Sequence, residues 1–272
     1  LKSPDMKWLP PTFQDLLLEE GTLFEGINGR KNEAIGTGVI CLLGSARSGK
    51  TSMAYAMIDT VIRETNRPIS FVGFPDVVIE AMPDHWQGRV YNPETIDKLL
   101  DIKRPAVVLI DDTAVTLNSR DSMTKGSKLM SRLAGVISHI GGGLTVILTT
   151  QSMSGVDLSL LRYTQLAVGI RRISPATLWS ERSKWLPRIH EAQNEIRSKT
   201  DDPNWRDLWY SMMDETLCVS WFPPWLDKRV NADRADKLSR PFRYMSKSTL
   251  KGMLMKPPEK RKKDKDEDEV ET

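Results

Sequence analysis

Residues Gly44 to Thr51 read Gly-Ser-Ala-Arg-Ser-Gly-Lys-Thr, a full match to G-x-x-x-x-G-K-[ST], directly after the apolar run Val39-Ile40-Cys41-Leu42-Leu43. Strand, glycine loop and helix in that order form a cradle for phosphate. The glycines let backbone N–H groups turn inward as an anion nest, and a helix opening at Lys50 aims its positive end at the same point. Lys50 reaches the terminal phosphates, and Thr51 offers a hydroxyl to Mg²⁺. Gly44, Ser45, Ala46, Arg47, Ser48, Gly49, Lys50, Thr51 and Ser52 are therefore expected to bind a nucleoside triphosphate, with Lys50 also serving catalysis. The helix is credible because Ser52 to Glu64 has no Gly or Pro and spaces Met53, Met57, Ile58, Val61 and Ile62 along one face.

Beyond the loop, apolar runs alternate with helical ones. Strands are expected at Ile69 to Gly73, Ala106 to Ile110, Leu144 to Thr149 and Leu166 to Ile170, and helices at Pro93 to Leu100 and Ser127 to Ile140. Such alternation makes an α/β fold with a mostly parallel sheet covered on both faces. After Ser174 the texture changes: Pro175 to Ser183, Pro187 to Ser198 and Pro203 to Met213 each start at a proline, as helices often do, and Thr216 to Trp221 reads as a strand. Trp179, Trp185, Trp205, Trp209, Trp221 and Trp225 all fall in this part, which suits a compact subdomain or a subunit interface better than base stacking. The expected divisions are an N-terminal extension over 1–38, a nucleotide-binding core over 39–173, a helical subdomain over 174–255 and a disordered tail over 256–272. In that tail a basic block, Lys260 to Lys263, runs into an acidic one, Asp264 to Glu271, with Val270 its apolar residue among them.

A chain of 272 residues with 39% hydrophobic residues can bury one substantial α/β core. No apolar stretch approaches the roughly 18 residues that span a bilayer, and Leu1-Lys2-Ser3-Pro4-Asp5 does not resemble a signal peptide, so the chain is expected to stay where it is made. Cys41 and Cys218 each lie inside an apolar run and read as small core residues. The net charge of +3 is too small to argue for a polyanionic partner by itself.

A second nucleotide motif follows. Ala106-Val107-Val108-Leu109-Ile110-Asp111-Asp112 is an apolar strand ending in two carboxylates, the Walker B pattern. The strand delivers Asp111 to the sheet edge, where it is expected to hold Mg²⁺, while Asp112 stands where a carboxylate can polarise the attacking water. Leu144-Thr145-Val146-Ile147-Leu148-Thr149-Thr150 then ends at Gln151, whose amide can donate to phosphate while accepting from water.

A strand ending in Thr-Gln, preceded by Ser131-Arg132-Leu133-Ala134 and Gly141-Gly142-Gly143 and followed by a strand with basic residues from Leu166 to Arg172, resembles the FtsK/HerA superfamily of DNA-pumping ATPases. The resemblance covers residues 36–173, and its compact form is most similar to genome-packaging ATPases of membrane-containing double-jelly-roll viruses. It implies a RecA/FtsK-like P-loop fold, ATP and Mg²⁺ as ligands, and catalytic roles for Lys50, Asp112 and Gln151. Double-stranded DNA as partner, a homo-oligomeric ring of six or five subunits, docking to a capsid vertex protein, and residence in the host cytoplasm or with the virion are also implied. A site shared between subunits needs a neighbour's arginine, for which Arg120, Arg132, Arg162, Arg171 and Arg172 are candidates, the last two expected nearest an interface. The polar loop 113–126 either faces a central channel, touching DNA through Arg120, Lys125 and the adjacent Lys128, or is an ordinary surface loop. Two other functions stay open: a nucleotide-dependent assembly switch of the zonula-occludens-toxin kind, since Asp112 is one methylene shorter than the Glu of most motor ATPases, and a P-loop small-molecule kinase.

Overall fold

The computed structural model describes residues 38–64, 66–93, 96–111, 144–156, 166–199, 208–212, 215–219 and 223–244. Its centre is an eight-stranded sheet in the spatial order β3-β2-β4-β5-β1-β6-β7-β8. In chain order the strands are β1 (Gly38–Leu43), β2 (Ile69–Phe71), β3 (Val90–Tyr91), β4 (Ala106–Ile110), β5 (Leu144–Thr150), β6 (Leu166–Ile170), β7 (Leu208–Ser211) and β8 (Thr216–Val219). The first six pair in parallel, and β7 and β8 continue the sheet antiparallel from β6. The described helices are α1 (Lys50–Glu64), α2 (Asp76–Ile79), α3 (Pro175–Trp179), α4 (Leu186–Lys199) and α5 (Ala232–Ser239), with short 3-10 turns between elements.

Alternation along the strands sorts the core into two layers. Val39, Cys41 and Leu43 of β1 join Val108, Ile110, Val146 and Leu148 on one face, covered by Ile189, Ala192 and Ile196 of α4. Ile40 and Leu42 point to the other face, which α1 covers with Met53, Met57, Ile58 and Val61. Strands buried on both faces carry continuous apolar runs, as β1 and β4 do. Both cysteines are buried free thiols, and burial, with the charge of Glu181 adding to it, pushes the Cys41 thiol up to about 12.

One expected helix is a strand over its described part. The helix anticipated over Pro203 to Met213 is replaced at Leu208–Ser211 by β7, which pairs with β6 and β8. Its large residues are split between layers, Trp209 with the α1 side and Tyr210 with the α4 side, which a strand permits and one helix face does not. The sheet thus runs on past residue 173, and helices α3, α4 and α5 lie around it. Trp209 and Trp225 are built into the α1-side core, where Trp225 meets Trp86 edge-on with ring centroids 5.1 Å apart. Trp179, in contrast, is 86% exposed. The segment expected as a helix from Pro93 forms a 3-10 turn over Ile96–Asp101. Among the described residues no helix is long and apolar enough to cross a membrane. The extension before residue 38, the helix expected over Ser127 to Ile140, the loop 113–126 and the charged tail lie outside the described residues.

Candidate nucleotide site

The phosphate loop leaves β1 at Leu43 and re-enters regular structure at Lys50. Its shape demands glycine at two points. A Cβ on Gly44 would lie 2.7 Å from Ser48 Oγ and 2.8 Å from Arg171 Cβ, closer than packed atoms come, and Gly49 has φ +93. Arg47 also takes a left-handed conformation, φ 63, at a cost of roughly 1–2 kcal/mol for a residue with a Cβ. The loop is pinned at its start by backbone bonds from Gly44 N to Thr150 O and from Ser45 N to Arg172 O, both 3.2 Å. Ser45 Oγ in addition accepts from Ser174 N at 2.7 Å.

Lys50 is nearly buried, and its ammonium donates to Gly44 O at 3.0 Å and to Ser45 O at 2.9 Å, so the charge lies across the loop whose N–H groups would receive phosphate. One residue on, Thr51 Oγ1 donates to both carboxylate oxygens of Asp111, at 3.0 and 3.2 Å. Thr149 Oγ1 donates to Asp111 Oδ1 at 2.6 Å. Asp111 is 3% exposed, and these hydroxyl and carboxylate oxygens make the hard-donor group that Mg²⁺ prefers. The set fits the cation: Thr51 and Asp111 would hold it, with Thr149 fixing the carboxylate. Burial pushes the pKa of the Tyr55 phenol well above its usual range, and the negative charge of Asp111 raises it further, so the phenol stays protonated.

Sheet order explains why these groups meet. β5 is inserted between β1 and β4, with Leu43 beside Thr150 and Ile110 beside Leu148. Gln151, half-buried and first after β5, therefore leaves the sheet between the phosphate loop and Asp111. Thr149 did not stand out in sequence: a threonine in an apolar strand carries no signal until the register sets it against Asp111. The same holds for Glu181 and Arg182. Glu181 Oε2 accepts from Ser152 Oγ at 2.9 Å and Met153 N at 2.7 Å, and Arg182 donates to Ser154 O and Val156 O, both at 3.2 Å.

The two arginines expected near an interface are both beside their own phosphate loop. Arg171 is 3% exposed, its guanidinium carbon lies 5.2 Å from the centre of the Trp209 ring, and its carbonyl accepts from Gln193 Nε2 at 3.0 Å. Such a buried, stacked side chain does not suit a group offered to a neighbouring subunit. Arg172 has an exposed side chain, while its carbonyl holds Ser45 N. Asp112, Arg120, Arg132 and Arg162 lie outside the described residues.

Residues 40–172 match the model of the ATPase family associated with various cellular activities (AAA). The match agrees with the phosphate loop and the mostly parallel sheet, which together give this part of the chain the P-loop NTPase fold that the sequence resemblance implied. No curated protein sequence matches the chain. Solved structures similar to it include EssC (ATPases 2 and 3) from Geobacillus thermodenitrificans, 14% identical, with TM-score 0.49, over 81% of this chain and 45% of that one. The genome packaging NTPase B204 from Sulfolobus turreted icosahedral virus 2, in complex with AMPPCP, is 14% identical with TM-score 0.45, over 68% of this chain and 98% of B204. The conjugation coupling protein TcpA of pCW3 is 12% identical with TM-score 0.46, over 74% and 64% of the two chains. The chain thus spans less than half of the EssC structure it matches.

Proposed function

We propose that the chain is an ATP-driven translocase of double-stranded DNA that works as a homo-oligomeric ring, most like a viral genome-packaging motor. The observation that supports this reading is the insertion of β5 between the loop-bearing strand and the Asp111 strand, because the chain then leaves β5, with Gln151 as its next residue, between the strands that lead into the phosphate loop and Asp111. A polar group there can sense whether a terminal phosphate is present and pass that state to whatever follows β5. The resemblance of residues 36–173 to DNA-pumping ATPases supplies the substrate class.

In this reading Lys50 takes up the charge of the transferred phosphoryl group, and Thr51 with Asp111 would hold Mg²⁺, which would supply further charge neutralisation at the phosphate oxygens. The Gln151 amide orients the attacking water, with Asp112 as the base. Arg172 attends the nucleotide of its own subunit, because its backbone is bonded to Ser45. The neighbour's arginine then comes from Arg120, Arg132 or Arg162. A kinase reading gains nothing from Gln151, whereas an assembly switch shares every group except the DNA.

ATP turnover measured with duplex DNA across a salt series separates motor from switch. Contacts to phosphates carry no base information, so stimulation is expected with any sequence. Affinity should fall with salt at a log–log slope of roughly 0.9 per phosphate contacted. Turnover per subunit should also rise with protein concentration as rings form. A protein shown to form rings, yet hydrolysing ATP at one rate with and without DNA, would be an assembly switch.

A further inference from the structure

The stretch that follows Gln151 is held from outside the sheet. Thr150 Oγ1 donates to Ser152 O at 2.8 Å and accepts from Ser152 N at 3.2 Å, which folds the chain back as soon as it leaves β5. Ser152 Oγ accepts from Ser154 N at 3.1 Å, starting a single 3-10 turn over Met153–Gly155. A turn this short has too few internal bonds to fix its own direction. Its orientation comes from Glu181 and Arg182, which lie in the connection between α3 and α4. Glu181 Oε2 takes the Ser152 hydroxyl and the Met153 N–H, and the Arg182 guanidinium takes the carbonyls of Ser154 and Val156. Glu181 Oε1 accepts from the backbone N–H of Arg182 at 2.9 Å, which sets the Glu181 carboxylate through one local bond.

The chain on the far side of α3 rests on the phosphate loop. Ser174 caps α3 through its hydroxyl, and its N–H donates to Ser45 Oγ. Nine residues, 174–182, thus touch the phosphate loop at one end and the segment after Gln151 at the other. Charge-assisted bonds to a carboxylate are about twice as strong as neutral ones, so the Glu181 end is a firm attachment.

We propose that Glu181 is a positioning residue for ATP hydrolysis: by holding Ser152 and Met153 it fixes where Gln151 stands relative to the phosphate loop, and the strap 174–182 ties that placement to Ser45. This rests on Gln151 acting on the attacking water as described under Proposed function. Glu181 touches no nucleotide. Its removal therefore leaves nucleotide binding in place and slows the chemical step.

The test uses the full chain and a two-by-two set of variants, wild type, Gln151→Ala, Glu181→Ala and the double, with Glu181→Gln as a form that keeps the shape and one acceptor oxygen. Steady-state turnover gives kcat and KM, and a fluorescent ATP analogue gives Kd. Misplacing a water-orienting amide costs on the order of tenfold in kcat for Glu181→Ala, with Kd unchanged and Glu181→Gln between it and wild type. In the Gln151→Ala background, Glu181→Ala should change kcat less than twofold, because nothing is left to position. Full additivity in the double variant, an unchanged kcat in Glu181→Ala, or a parallel loss of nucleotide affinity would each overturn the proposal. If Gln151→Ala itself turns over at the wild-type rate, the reading of Gln151 fails first and the positioning role falls with it.

Discussion

Helix α1 ends near two buried carboxylates, and they are held in opposite ways. Asp111, at the N-terminal end, is 3% exposed and takes hydrogen bonds from the hydroxyls of Thr51 and Thr149. Asp59, four residues before Arg63 on the helix itself, is 0% exposed and takes an Arg63 guanidinium at 2.8 Å, His85 Nε2 at 2.7 Å and Trp86 Nε1 at 3.1 Å. Rotatable hydroxyls can turn from the carboxylate to a cation and back, and they leave it its charge. An indole and a guanidinium occupy the carboxylate for good. Depth of burial does not separate a ligand-binding acid from a structural one; the character of the donors does.

That contrast is sharpened first by the lysine on the Asp111 side. Lys50→Ala should lower ATP turnover on the order of 1000-fold, the upper range for loss of one charge-stabilising donor, with circular dichroism unchanged. A well-folded variant with normal turnover would break the nucleotide-site assignment. Asp111→Asn should lower turnover on the order of 100-fold and remove the Mg²⁺ dependence of nucleotide binding, while thermal stability holds or rises because a buried charge is gone. Asp59→Ala should do the reverse. It orphans the buried Trp86 N–H and removes the carboxylate that Arg63 and His85 bind, at about 2 kcal/mol in urea denaturation, with turnover within twofold of wild type. Equal effects of the two aspartate variants on either readout would erase the distinction.

The smallest effect belongs to an acid at the surface. Asp236 is hydrogen-bonded by the Tyr244 hydroxyl and sits beside Arg240 and Arg243, which keeps its carboxyl below the ordinary 3.8. A folded-state value below the unfolded one stabilises above the unfolded value and is lost as pH falls through the folded one. The stability difference between wild type and Asp236→Asn should be small at neutral pH and fade as the medium is acidified past 3.8.

Local signals in the sequence were enough for the elements around the phosphate loop. β4 was legible to the residue, and β1, β5, α1 and α4 within two, because apolar runs, prolines and glycines mark them without help from the rest of the chain. β7 was not. Leu208-Trp209-Tyr210-Ser211 does not alternate apolar with polar, since the sheet buries both of its sides, and Pro203 imitates a helix start. In the site, Lys50, Thr51 and Asp111 were readable from motif spacing. Thr149 and Glu181 were not, because each acquires its role from a partner 38 or 28 residues away. Arg171 and Arg172 read as interface candidates from the strand end they follow, whereas their place beside the chain's own loop emerges only from the pairing of β6 with β1.

That pairing also bears on the order in which the molecule is made. β1 lies between β5 and β6, with Val39 facing Val146 on one side and Leu166 on the other. As the chain leaves the ribosome, the phosphate loop is among the first parts of the sheet to emerge, yet both neighbours of its strand are synthesised more than a hundred residues later. Pairings of such separation form slowly. A growing chain halted before residue 166 carries the complete loop motif and still lacks one wall of the cradle. Nucleotide retention by stalled nascent chains of increasing length should therefore switch on only after β6 and Ser174 are exposed, a late event for so early a motif.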